Sequence, residues 1–70
     1  MSTEPHITVN GERRPLPEGQ TLLGLLRALE LDPARVAVEL DGLIVKQPLW
    51  EQTVLRPGSQ LEIVQFVGGG

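Results

Sequence analysis

Leucines recur at intervals of three and four in one stretch of this chain: Leu22, Leu25, Leu26 and Leu29. That spacing puts them on one face of an α-helix. Thr21 precedes them as an N-cap, because its hydroxyl can accept a hydrogen bond from an orphan N–H of the first turn. Pro33 is expected to stop the helix near Leu31 or Asp32. Gly24 inside it costs about 1 kcal/mol against alanine and suggests close packing on whatever the helix covers. A single helix with a single greasy face needs a partner layer, and the other elements must supply it.

Those elements read as strands. His6-Ile7-Thr8-Val9 alternates polar and apolar, and Asn10-Gly11 follows as a tight hairpin turn. Glu12 to Leu16 is the returning strand, placed at a sheet edge by Pro15, which lacks an N–H. Val36, Val38 and Leu40 point inward, with Ala37 and Glu39 outward. Asp41-Gly42 makes a second turn and Leu43-Ile44-Val45 pairs back. Lys46 to Thr53 is irregular, with Pro48-Leu49-Trp50 a short 3₁₀ turn whose tryptophan caps the core edge. Arg56-Pro57-Gly58-Ser59 is a third turn. Leu61 to Phe66 is the last strand, with Leu61 and Ile63 inward and Glu62, Val64 and Phe66 outward. The expected fold class is α+β: a β-grasp, ubiquitin-like arrangement, with a mixed sheet of four to five strands packed on one helix.

Seventy residues allow one small core. The expected organisation is one domain over residues 1–67 and a glycine tail over residues 68–70. The chain holds no cysteine, which removes disulfides, thiol catalysis and zinc–cysteine sites. Its formal charge is -3 and its six basic residues are scattered, so no basic face is expected for nucleic acid. No apolar run reaches transmembrane length, and the first residues have no signal-peptide pattern. No membrane partner and a cytoplasmic location are therefore expected.

Intrinsic catalysis finds no footing. His6 is the only histidine and has no nucleophile or carboxylate at a telling spacing. Glu39 with Asp41, and Glu30 with Asp32, read as solvated strand-end and helix-end charges rather than an acid–base pair. No metal site is expected.

The chemistry points to the end of the chain. Gly68-Gly69-Gly70 follow the last strand directly. A linker remnant would look the same. A native tail of this kind threads extended backbone into a narrow slot and presents a bare carboxylate on Gly70. Four residues, Val67 to Gly70, reach at most about 13–14 Å when extended. Val64 and Phe66 cannot be buried by the face that buries Leu61 and Ile63, so beside the tail they form a candidate partner surface.

These residues resemble a known family. Val9-Asn10-Gly11-Glu12, Leu16-Pro17-Glu18-Gly19 with the Thr21-Leu22 helix start, Val36 to Gly42 with Ile44-Val45, and Leu61 to Gly70 are similar to the ThiS family, the sulfur carriers of thiamine thiazole biosynthesis. The likeness runs from about His6 to the end. Two positions depart from the family pattern: Asp41 stands where asparagine is frequent, and Gly68 is present in only some members. The resemblance implies that the protein is not an enzyme but a carrier with no intrinsic cofactor. A ThiF-type adenylating enzyme would use ATP to activate the Gly70 carboxylate. A sulfur donor protein would convert it to a thiocarboxylate, and thiazole synthase would take the sulfur. Gly69, Gly68, Val67, Phe66 and Val64 would then contact partners. The small subunit of molybdopterin synthase resembles the same pattern, but those chains are usually longer and insert a second helix. A carrier for tRNA thiolation and a ubiquitin-like modifier remain alternatives.

Overall fold

A computed structural model describes residues 4–66 of the chain. Five strands and one helix follow in the order β1 (His6–Val9), β2 (Glu12–Pro15), α1 (Leu22–Ala28), β3 (Val36–Leu40), β4 (Leu43–Val45) and β5 (Gln60–Gln65). They form a single mixed sheet in the order β2-β1-β5-β3-β4. β1 and β5 run parallel at its centre, and every other pairing is antiparallel. This is the expected β-grasp, with five strands.

The turns form as their residues require. Asn10 and Gly11 take φ of 50° and 81°, and Asp41 and Gly42 take 50° and 86°. Two consecutive positive φ values give the primed turn whose twist matches that of the strands it joins. Pro15 ends β2 on the sheet edge, where its missing N–H interrupts no ladder.

The helix covers one face of the sheet. Leu22, Leu25 and Leu26 are buried against Ile7, Val9, Val36, Val38, Leu61 and Ile63, while Leu29 is partly covered. Each fully buried aliphatic side chain contributes about 1.5–3 kcal/mol. Thr21 caps the helix as expected, its Oγ1 accepting from the Gly24 N–H at 3.0 Å.

Three local expectations are corrected. The helix ends at Ala28, three residues before Leu31. Glu30 adopts φ of 60°, its N–H donates to the Arg27 carbonyl, and the Leu31 N–H donates to the Leu26 carbonyl at 2.9 Å. That is a Schellman stop made without glycine. Pro33 instead opens a separate 3₁₀ turn, Pro33–Arg35, capped by Asp32. Gly24 does not approach the sheet: a Cβ there would meet the Gln20 Nε2 at 2.7 Å and the Thr21 Oγ1 at 3.2 Å. Trp50, expected at the core edge, is 2% exposed within the core. Its Nε1–H donates to the Val45 carbonyl at 2.7 Å, which ties the 3₁₀ segment back to the end of β4.

The irregular segment before β5 is held by the helix entry. Thr21 and Val54 form an isolated antiparallel bridge. The Leu22 N–H donates to the Thr53 carbonyl, and the Leu55 N–H to the Gln20 carbonyl. Leu55 is thereby delivered into the core.

Candidate functional site

The last strand runs into the glycine ending of the sequence. β5 lies in the middle of the sheet, between β1 and β3. β1 pairs with it only at Thr8–Gln60 and Val9–Leu61, whereas β3 pairs with it from Leu61 to Gln65. Where β1 turns away, the Asn10 side chain continues the ladder. Its Oδ1 accepts from the Ile63 N–H at 2.7 Å and its Nδ2 donates to the Ile63 carbonyl at 3.1 Å. One amide side chain thus stands in for a strand residue at a partly buried position. On the other edge of β5 the Phe66 N–H donates to the Arg35 carbonyl at 2.7 Å. The strand is therefore held on one side as far as Ile63 and on the other as far as Phe66.

Val64 lies where the sequence put it, on the sheet face opposite the helix, and Phe66 follows just beyond the end of β5. They are 60% and 55% exposed. Val67, Gly68, Gly69 and Gly70, the other expected site residues, lie outside the described residues.

The structure adds a further apolar group to this face. Ile44 is 76% exposed on β4 and stands directly opposite Glu39. Sequence reasoning treated it only as part of a returning strand. The two-residue Asp41-Gly42 turn would have located it: that turn pairs Leu40 with Leu43 and then Glu39 with Ile44, and Glu39 was already read as outward. Beside Ile44 the face continues through Glu39 to its β5 partner Glu62, and the neighbouring row pairs Ala37 with Val64. Ile44, Glu39, Glu62 and Val64 line a shallow depression of about 280 Å³.

The remaining polar candidates have structural tasks. His6 Nδ1 lies 3.2 Å from the Arg13 Nη2, which donates to it. Asp41 Oδ1 accepts from the Gln60 N–H at 2.9 Å. Asp32 caps the Ala34 N–H at 3.0 Å and lies 3.7 Å from the Arg35 guanidinium. Among the described residues no group of three or more His, Cys, Asp or Glu could hold a metal ion. Among the same residues no helix is long and apolar enough to cross a membrane.

Comparison with known proteins agrees with this geometry. The ThiS family model matches residues 7–70. A thiazole synthase from Magnetococcus marinus is 41% identical over 64 residues, which are 91% of this chain and 20% of that protein. A thiazole synthase from Paramagnetospirillum magneticum is 39% identical over the same shares. This chain therefore spans about a fifth of the length of those relatives. The protein ycf40 of Pyropia yezoensis is 36% identical over 91% of this chain and 90% of its own length. The crystal structure of a thiamine biosynthesis protein, ThiS, from Geobacter metallireducens superposes with a TM-score of 0.77 at 29% identity, covering 93% of this chain and 99% of that one. The family model covers nearly the whole chain and the fold superposes on a solved member, and the chain belongs to the ThiS family, the sulfur carriers of thiamine biosynthesis.

Proposed function

We propose that this protein carries sulfur for thiazole formation as a C-terminal thiocarboxylate on Gly70. The observation that carries the reading is the delivery of the chain end. β5, which carries the exposed Val64, is held by Asn10 and Arg35 up to Phe66, and in the sequence the glycines follow one residue later. A rigid body can dock by the sheet face that carries Val64 while Gly68, Gly69 and Gly70 enter a covered site as thin backbone.

The chemistry follows from a carboxylate being a poor electrophile. In a ThiF-type adenylating enzyme, a Gly70 carboxylate oxygen attacks the α-phosphorus of ATP and pyrophosphate leaves. The terminal sulfur of a persulfide on a donor protein then attacks the acyl carbon and AMP leaves. Reduction of the remaining S–S bond by a thiol frees the thiocarboxylate, which thiazole synthase consumes. Glycine has no side chain to hinder either attack, and the cysteine-free body has no thiol that could capture the activated acyl group. ATP belongs to the partner, and the carrier needs no cofactor. The setting is the cytoplasm. Two relatives named thiazole synthase favour this acceptor over the alternatives. So does the segment after β4, a 3₁₀ turn over Gln47–Gln52 rather than a second α-helix.

The test is intact mass spectrometry after incubation with a ThiF-type enzyme, ATP and a sulfur donor. The expected product has one oxygen replaced by sulfur, confined to the C-terminal peptide. Deleting Gly69 and Gly70 should abolish loading and leave the fold intact. Normal loading of the shortened chain would refute the assignment.

A further inference from the structure

The outer sheet face holds a charge arrangement that no ion pair among the described residues balances. Glu39 on β3 and Glu62 on β5 are direct cross-strand partners, and both are exposed. Like charges placed opposite each other destabilise a sheet. The ion pairs among the described residues are Arg14–Glu12 and Arg35–Asp32, and neither involves this pair. Apolar groups frame the two carboxylates: Ile44 stands on the far side of Glu39, and Val64 lies two residues from Glu62 towards the chain end. The shallow depression of about 280 Å³ is lined by these four residues together with Ala37 and Val38.

We propose that this depression seats an arginine of thiazole synthase, its guanidinium held between Glu39 and Glu62 and its stem packed on Ile44 and Val64. The inference rests on the carrier reading above and adds the chemistry by which the partner is recognised. Arginine fits better than lysine, because a planar fork can serve two carboxylates and a weakly hydrated guanidinium tolerates apolar walls. Thiazole synthase is the chosen occupant because two relatives bearing that name contain a segment similar to this chain within a longer polypeptide. The arrangement also separates two properties that usually change together. Glu39 and Glu62 repel each other in the free carrier and share a cation in the complex, so neutralising them should stabilise the first and weaken the second.

The experiment uses the full-length carrier and thiazole synthase. Binding is titrated from low to high salt for wild type, Glu62→Gln and the double variant Glu39→Gln/Glu62→Gln. Thermal unfolding and sedimentation of each free carrier are measured in parallel. The double variant is expected to unfold at a slightly higher temperature, to bind about tenfold more weakly at low salt, and to lose much of the salt dependence seen in wild type. Wild-type binding whose affinity and salt dependence survive the double substitution overturns this inference and leaves the carrier reading standing. Self-association of the free carrier that the double variant abolishes, with synthase binding unchanged, assigns the face to a second copy and overturns it as well. A wild-type carrier that does not bind thiazole synthase at all overturns both this inference and the assigned acceptor.

Discussion

Asn10 offers a sharp test of how β5 is held in the sheet. Its side chain makes two hydrogen bonds to one residue, Ile63, at 2.7 and 3.1 Å, across 53 residues of sequence. Its backbone also sits at φ of 50°, a conformation that asparagine tolerates better than most residues. Asn10→Ala removes both advantages. Two partly buried hydrogen bonds are worth about 1–3 kcal/mol together, and the left-handed backbone adds about 1 kcal/mol for alanine. The expected loss is about 2–4 kcal/mol. Asn10→Gly removes the bonds but adopts the turn freely, so it should lose only the hydrogen-bond share, about 1–3 kcal/mol. Asn10→Asp keeps the acceptor for the Ile63 N–H but sets a second carboxylate oxygen against the Ile63 carbonyl, and it too should be less stable than wild type.

Trp50 is the only tryptophan and is 2% exposed, so its fluorescence in urea reports global unfolding. For a domain of this size each kcal/mol corresponds to about 4–8 °C in Tm. Asn10→Ala should therefore melt at least about 8 °C below wild type. Hydrogen exchange at the Ile63 amide should accelerate in both the alanine and the glycine variants. If Asn10→Gly stays within about 0.5 kcal/mol of wild type with the same m-value, the side-chain ladder contributes nothing, and pinning of β5 by Asn10 is refuted.

Other outcomes follow from single contacts. Glu30→Gly should raise stability by about 0.5–1 kcal/mol, because glycine holds φ of 60° without strain and a negative charge leaves the helix C-terminus; a drop in Tm would contradict the Schellman reading. Trp50→Phe should cost at least about 1 kcal/mol, since the Val45 carbonyl loses its donor at 2.7 Å and the smaller ring leaves a void; circular dichroism melting, which needs no tryptophan, measures it. Val64→Asp should weaken partner binding with little change in Tm, because this side chain is 60% exposed. Calorimetric titration that finds affinity untouched would count against the outer face as the docking surface.

Much of the fold is legible along the chain because its signals are local. Asn10-Gly11 and Asp41-Gly42 form turns from their own backbone preferences. Thr21 caps the helix from three residues away, and the alternation of Val36 to Leu40 reports its own burial. The outward position of Val64 follows from the same period of two. The helix stop was less legible: a Schellman ending normally advertises itself with glycine, and here Glu30 fills that position. The place of Trp50 depended on the Val45 carbonyl at the sheet edge, which no local pattern reveals.

The strand-by-strand alternation, the two primed turns and the single leucine face thus required a one-layer sheet under one helix. Register across distant strands required the folded chain. Pairing of β3 with β5 put Glu39 against Glu62, β4 carried Ile44 to the same face, and the ending of β1 left Ile63 for Asn10 to complete. Local conformational preference acts over a few residues and is written where it acts. A cross-strand neighbour is chosen by the packing of the whole sheet, so the grouping of Ile44, Glu39 and Glu62 with Val64 on one face became visible only once all five strands were in place.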